Sequence, residues 1–187
     1  MTLPHSLSLT LPDWLPDLVD PALRFDSDEA KVSIAITLSR HNVDHRSGGP
    51  FGAAIFDPEG RVVAAGVNRV LPQNCSAAHA EMMAFMLAQQ RLGRARINDD
   101  GGHYTLATSA QPCCQCYGAS FWAGIDTLLI GARSEDVMSL TQFDEGPLPG
   151  DWVGELQARG IAVRRDIERE QACVVLADYG RLGGVFY

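Results

Sequence analysis

Two short stretches of the chain contain residues that can bind a metal ion and move protons. His79 and Glu81 stand two positions apart, and Cys113 and Cys116 follow Pro112 further along the chain. One imidazole and two thiolates are typical zinc ligands, and three protein ligands leave the fourth tetrahedral position for water, as a catalytic site requires. Glu81 is then a proton carrier beside that water rather than a ligand. The pattern predicts a catalytic zinc site.

This pattern is specific, because proline and cysteine are both uncommon residues. At average composition the two stretches should occur together by chance in on the order of one chain per thousand of this length. The alternative is a structural zinc ion, closed by a fourth protein ligand such as Cys75 or His103. A closed site has no use for Glu81, which favours the catalytic interpretation.

The spacing within each stretch predicts the secondary structure that positions it. Cys113 and Cys116 are three residues apart and share one face of a helix, and Pro112 suits the first turn of that helix. The positive end of the helix would stabilise both thiolates. His79 and Glu81 would point to nearly opposite sides in mid-helix. We therefore expect His79 where the chain enters a helix.

Apolar periodicity and turn residues predict the surrounding elements. A capping box of Asp26 and Glu29 should start the first helix, which runs to about residue 41. Trp122, like Tyr104, is expected in the core, and the cysteines outside the zinc pattern, Cys114 among them, are expected to be small buried residues. A hairpin followed by strand–helix alternation indicates an α/β fold with a mixed sheet between helices. Strands are expected at 51–56, 62–70, 104–108, 127–131 and 161–164, and further helices at 76–90, 112–123, 135–140, 155–159 and 167–179.

Length and charge limit the classes of partner. The chain has 187 residues, a net charge of −8 and a pI near 5.0, which argues against binding a phosphate backbone. No stretch approaches the length of a membrane span, and the proline-rich N-terminus is no signal peptide. Five cysteines, two of them metal ligands, fit a reducing cytoplasm. We expect an N-terminal extension at 1–25 and one catalytic domain at 26–187, with no nucleic-acid or membrane partner.

Longer stretches of the chain resemble the cytidine deaminase superfamily, whose zinc signature matches the pattern above. Within it, the loop Phe143–Pro147 resembles the bacterial guanine deaminases. The resemblance implies a three-layer α/β/α sandwich with a five-stranded mixed sheet, a Zn²⁺ ion and a homodimer. The likeness covers roughly residues 26–182 and is carried by Gly49–Gly52, Asn68–Val70, Cys75–Glu81, Thr108–Ala110, Phe121–Gly124 and Phe143–Pro147.

The resemblance also implies an activity, the hydrolytic deamination of a free nucleobase, with guanine giving xanthine and ammonia. Deamination of a related ring stays open as an alternative: a triazine, a pterin, cytosine or a nucleoside. A tRNA adenosine deaminase and a non-catalytic zinc protein are further alternatives. Either would share the zinc pattern, but the first predicts a basic face, which the acidic composition does not favour.

Site residues follow from the same resemblance. His79, Cys113 and Cys116 are expected to bind zinc, Glu81 to shuttle protons, and Glu145 to assist proton transfer to the leaving amine. The expected substrate contacts are Phe51, Asn68, Ala78, Phe143 and Tyr187.

Simpler readings remain for several of these residues. Phe51 is equally a core residue, Asn68 a turn former, and Glu145 a solvated loop carboxylate. One departure from the family is Gln111, where glutamate is usual before Pro112. Loss of that charge beside the zinc loop either changes only a hydrogen bond behind the site or alters substrate choice. In relatives a C-terminal segment closes the site, so residues 186–187 are expected to form a short lid.

Overall fold

Five strands form one mixed sheet in the computed structural model, which describes residues 3–187. β1 is antiparallel to β2 and β3, whereas β3, β4 and β5 are parallel. This confirms the predicted five-stranded mixed sheet. The strands are β1 (Gly52–Phe56), β2 (Val62–Val67), β3 (Thr105–Ala110), β4 (Thr127–Ala132) and β5 (Ala162–Arg164), in the spatial order β2-β1-β3-β4-β5.

Helices cover both faces of the sheet, which gives the predicted α/β/α sandwich. On one face α2, α6 and α8 pack with Ala54 and Phe56 of β1, and on the other α4, α5 and α7 pack with Ala53 and Ile55. Burial on both sides explains why β1 to β4 are continuous apolar runs rather than alternating ones. The helices are α1 (Leu15–Leu18), α2 (Asp28–Asp44), α3 (Val70–Gln73), α4 (Ala80–Leu92), α5 (Cys114–Ala123), α6 (Ser134–Leu140), α7 (Trp152–Gln157) and α8 (Arg169–Arg181).

Some local predictions were wrong. Ser27, not Asp26, caps α2, because its side chain accepts the backbone N–H of Ala30 at 3.1 Å. The second strand ends at Val67, and the short helix α3 follows it. α4 begins four residues later than expected. Trp122 is 73% exposed instead of buried.

The segment before α2 packs on the sandwich. Leu15 is buried in the core, and Trp14 donates from Nε1 to Ser47 Oγ at 3.2 Å. Thr10 exchanges hydrogen bonds with Gln73 of α3. None of the helices formed by residues 3–187 combines the length and hydropathy needed to cross a membrane.

Candidate active site

The N-terminus of α4 presents His79 and Glu81 together. His79 is the residue before the first helical turn, with extended backbone angles (φ −69°, ψ 161°), and Glu81 is the second helical residue. The change of backbone conformation between them turns both side chains to one side, as their spacing predicted. α4 approaches the sheet closely, because a side chain at Gly66 of β2 would overlap the Ala80 carbonyl oxygen.

The N-terminus of α5 presents the two cysteines. Cys113 is the N-cap residue, also extended (φ −66°, ψ 175°), and Cys116 lies in the first turn. Pro112 precedes the cap rather than occupying the first turn, so the helix begins two residues later than predicted. β3 leads directly into this segment. Its last residue, Ala110, pairs with Ala132 of β4, so the start of α5 lies close to the end of the sheet ladder. The N-termini of α4 and α5 therefore meet at one place, beside the C-terminal end of the central strand β3.

The three sulfur and nitrogen atoms fit a tetrahedral zinc ion. His79 Nδ1 lies 3.4 Å from Cys113 Sγ and 3.6 Å from Cys116 Sγ. Ideal zinc–nitrogen and zinc–sulfur bonds in a tetrahedron give a nitrogen–sulfur edge of about 3.5 Å. Among residues 3–187 no fourth side chain of a ligand type joins the cluster. His103 instead pairs with Thr127 Oγ1 at 2.8 Å.

Burial sets the protonation of the acidic groups around the cluster. Burial raises the pKa of Glu81 to about 7, with the nearby Cys113 thiolate adding to the shift. The pKa of Glu145 is raised in the same way, to about 8, by burial and then by the charges of Cys113 and Glu81. A hydrogen bond from the Cys116 thiol lowers the pKa of Cys113 to about 4 and raises that of Cys116. Both carboxyl groups can therefore exchange protons near neutral pH.

A cavity of about 270 Å³ opens beside these groups. The structure brings Glu145 and four of the five expected substrate contacts to its wall. Ala78 is fully buried behind the wall, and its carbonyl oxygen accepts the backbone N–H of Arg69 at 2.8 Å. The lining residues are Phe51, Asn68, Ser76, His79, Ala80, Glu81, Gln111, Cys113, Phe143, Asp144, Glu145 and Tyr187.

A hydrogen-bond network holds Asn68 in the wall. Asn42, which is fully buried, donates from Nδ2 to the carbonyl oxygens of Asn68 at 2.9 Å and Gly49 at 2.8 Å. Ser47 Oγ binds the Asn42 amide oxygen at 2.7 Å and receives the Trp14 indole N–H. The N-terminal segment therefore helps to fix a residue of the cavity.

Aromatic rings form the neighbouring part of the wall, with Phe143 at their centre. Its ring centroid lies 5.1 Å from Phe51, 5.1 Å from Phe186 and 5.2 Å from Tyr187. The Tyr179 hydroxyl holds the tail by donating to the Val185 carbonyl at 2.8 Å. Tyr187 thus reaches the cavity of its own chain, while Phe186 packs behind it on Phe143.

Four residues of the cavity wall were not predicted from the sequence as site residues: Ser76, Ala80, Gln111 and Asp144. Asp144 and Gln111 each stand next to a residue of a recognised stretch, and that adjacency was the available signal. Ser76 lies within the recognised stretch Cys75–Glu81, but its residue type and spacing did not mark it as a cavity residue, since the turn that brings it to the wall depends on α3. Cys114 was expected to be buried, but it is exposed and is not one of the residues that line the cavity.

Comparison with known proteins gives matches over most of the chain. The family model of the cytidine and deoxycytidylate deaminase zinc-binding region matches residues 26–132. The solved guanine deaminase of Nitrosomonas europaea is 40% identical, with a TM-score of 0.90 over 97% of this chain and 100% of that chain. A mutant of the protein NE0047, solved in complex with 8-azaguanine, is 41% identical, with a TM-score of 0.90 over 95% of this chain and 98% of that one.

A further relative is the guanine deaminase of Bacillus subtilis (strain 168). It is 37% identical over 108 residues, which are 58% of this chain and 66% of that protein.

Proposed function

Because this chain belongs to the cytidine and deoxycytidylate deaminase zinc-binding family, we propose that it hydrolyses guanine to xanthine and ammonia with Zn²⁺ as cofactor. The observation that carries the proposal is the cluster of His79, Cys113 and Cys116, with donor atoms at tetrahedral spacing beside Glu81. The similarity to guanine deaminases over nearly the whole chain supports the choice of base.

His79, Cys113 and Cys116 are the proposed zinc ligands. Zinc bound to one imidazole and two thiolates supplies an acidified water molecule for attack on the ring carbon. Two thiolates offset the charge of the ion, so a base beside the water is needed as well. Glu81, buried in the first turn of α4 two residues from His79, is positioned for that role.

Glu81 moves the protons in this proposal. It accepts a proton from the attacking water and donates it to the ring nitrogen beside the carbon that carries the amine. The hydroxyl added to the ring carbon then gives up its proton, the amine gains a proton, and the carbon–nitrogen bond breaks to release ammonia and leave the ring carbonyl. Glu145, which is 8% exposed and whose pKa is raised to about 8, can hold that proton for the leaving group.

The cavity wall suits a flat, uncharged ring. Phe51 is the proposed stacking residue, Asn68 a hydrogen-bonding residue, and Phe143 and Tyr187 the proposed walls around the base. No lysine or arginine is among the lining residues of the part of the chain that the structure describes. A phosphate group would find no counter-charge there, which favours a free base over a nucleotide.

We further propose a homodimer located in the cytoplasm. Exposed apolar side chains on α4 and α5, Met86 at 37% and Trp122 at 73%, support a covered surface. Unpaired cysteines throughout residues 3–187 support a reducing compartment. The division into an extension at 1–25 and a catalytic domain at 26–187 is also a proposal, and the packing of Trp14 on the domain supports a bracing role for the extension.

Ammonia release from a panel of bases tests the proposed activity. The panel contains guanine, guanosine, cytosine, a pterin and an aminotriazine, each incubated with protein of measured zinc content. We expect turnover of guanine and little or none of guanosine, whose ribose would need the space beside Tyr187. Turnover of another ring without turnover of guanine would reject guanine as the substrate but retain the proposed deaminase activity. No turnover of any ring would reject both.

A further inference from the structure

Gln111 lies in the wall of the active-site cavity, directly after β3 and before Pro112. Its backbone N–H donates to the Ala132 carbonyl oxygen at 2.8 Å, so the sheet holds the residue in place. The residue is 6% exposed. The sheet therefore holds the backbone of Gln111, and its long polar side chain lies in a nearly buried position in the same cavity wall as the metal-binding cluster.

Within residues 3–187 the structure gives the Gln111 carboxamide no hydrogen-bond partner. The amide is not sealed in the protein either. The fully buried side-chain nitrogen and oxygen atoms without a partner in the same residues are Ser39 Oγ and Arg94 Nε. The carboxamide therefore remains accessible from the cavity with a donor and an acceptor free. Such a group destabilises the protein unless water or a ligand satisfies it.

The sheet places Gln111 across from Asn68. Asn68 directly follows β2 and donates its N–H to the Phe51 carbonyl at 3.1 Å, whereas Gln111 directly follows β3. β2 and β3 flank β1, so the two amides stand on either side of Phe51. Neighbouring strands lie about 4.8 Å apart, which sets the two backbones roughly 10 Å apart. A flat base stacked on Phe51 would have one amide at each edge.

The two amides differ in the groups that they leave free. Asn68 Oδ1 accepts the backbone N–H of Val70 at 3.3 Å, and the Asn68 side chain also hydrogen-bonds the Tyr187 hydroxyl, so both of its groups already have partners. Gln111 has both groups free. A lactam, the –CO–NH– unit of an oxo-substituted ring, presents an acceptor and a donor side by side. A carboxamide can bind both at once, as glutamine and asparagine bind the paired donor and acceptor of adenine.

We propose that Gln111 is a specificity-determining residue, whose carboxamide binds the lactam edge of the base while Asn68 faces the other edge. This rests on the proposed function and narrows its substrate class. The preferred rings carry a lactam next to the carbon that loses its amine, as guanine does. Rings that carry the amine but lack the lactam would leave Gln111 unsatisfied and bind more weakly.

Gln111→Met tests the proposal, because methionine keeps the side-chain volume and removes both hydrogen-bonding groups. The matched control is Gln115→Met, since Gln115 is exposed and outside the cavity lining. Gln115 stands two residues after Cys113, as Gln111 stands two residues before it. The measurements are kcat/KM for ammonia release from guanine, the Kd of 8-azaguanine by calorimetry, and the zinc content and Tm of each variant.

We expect Gln111→Met to lower kcat/KM and weaken 8-azaguanine binding by roughly 10- to 100-fold, with zinc content unchanged. Gln115→Met should match the unsubstituted chain. With 2-aminopurine, which has the amine but no lactam, the loss caused by Gln111→Met should nearly vanish. An equal loss on both bases, or a loss of zinc, would show that Gln111 only shapes the metal loop and would overturn the proposal.

Normal 8-azaguanine binding by Gln111→Met would overturn it as well. Failure of the proposed function looks different, because the unsubstituted, zinc-loaded chain would then release no ammonia from guanine. The Kd of 8-azaguanine for Gln111→Met and for the unsubstituted chain would still test the role of Gln111 in that case, because calorimetry measures binding without turnover. If 8-azaguanine does not bind the unsubstituted chain, the lactam edge is not recognised and the proposal for Gln111 falls, whereas the proposed function is judged by ammonia release from guanine.

Discussion

Glu81 combines three properties that a proton carrier needs. It is 7% exposed, it lies two residues from His79, and burial raises its pKa to about 7. A carboxylate with its ordinary pKa would hold a proton too weakly at neutral pH to deliver it to a ring nitrogen. Binding of zinc would lower the pKa of Glu81 again, so the raised pKa describes the site without the metal ion. The position of Glu81, fixed by the first turn of α4, is the property that zinc does not change.

Glu81→Gln should abolish most of the activity and keep the metal. Glutamine has the same shape and cannot carry the proton, so we expect kcat to fall by about 10²- to 10⁴-fold. Zinc content by mass spectrometry and the thermal unfolding curve should stay close to those of the unsubstituted chain. Substantial activity in this variant would mean that another group moves the proton.

The two neighbouring cysteines of α5 give a matched pair for the metal. Cys113→Ser removes a ligand atom of the cluster, and we expect zinc to be lost on dialysis against a weak chelator, because three ligands are already the minimum of a catalytic site. Cys114→Ser changes an exposed residue outside the cluster and should retain one zinc per chain. Equal zinc retention in the two variants would contradict the assignment of Cys113.

At the scale of elements, the site depends on how closely α4 approaches the sheet. Ala80 and Ala84 of α4 are fully buried against β2, where Gly66 leaves room for the helix backbone. The N-terminus of α4 carries His79 and Glu81, so this contact also sets their distance from the cysteines. The small residues at the contact between α4 and β2 therefore set the position of His79 and Glu81 at the N-terminus of α4.

Gly66→Ala should displace α4. Its new methyl group would overlap the Ala80 carbonyl oxygen, so we expect a loss of about 1–3 kcal/mol in the free energy of unfolding, together with lower activity. Gly118→Ala in α5 is the control, since nothing lies within 4 Å of its added carbon. That change should be neutral or stabilise the helix by about 0.5–1 kcal/mol. Denaturant unfolding of both variants measures the difference.

The metal cluster and the five strands could be predicted from the sequence because both depend on short-range patterns. The separation of His79 from Glu81 already required a helix entry, which the structure shows. Trp122 was misplaced because apolar character does not reveal whether a surface packs within the chain or stays exposed. Ser76 reaches the cavity through the fold of the α3 turn, a tertiary arrangement that no local pattern encodes.

At the scale of the whole molecule, charge separates a nucleobase enzyme from one that acts on RNA. The chain carries a net charge of −8, and the cavity is lined by Glu81, Asp144 and Glu145 without lysine or arginine among residues 3–187. RNA binding needs cations that displace the counterions of the phosphates. Repulsion between the chain and the phosphates is expected instead.

Gel-shift titration with tRNA measures this directly. We expect no retardation of tRNA at micromolar protein, at low or physiological salt, because binding would lack its electrostatic contribution. A basic RNA-binding protein run in parallel serves as the positive control. A shift that weakens as salt increases would instead favour a tRNA-directed deaminase.

The central claim is a zinc ion with two sulfur ligands, one imidazole and an open position. X-ray absorption at the zinc edge of the purified protein tests it most directly. We predict one zinc per chain, with two sulfurs at about 2.3 Å and two nitrogen or oxygen atoms at about 2.0–2.1 Å, one from His79 and one from solvent. A third sulfur, a second imidazole, or protein that retains no zinc would contradict the account.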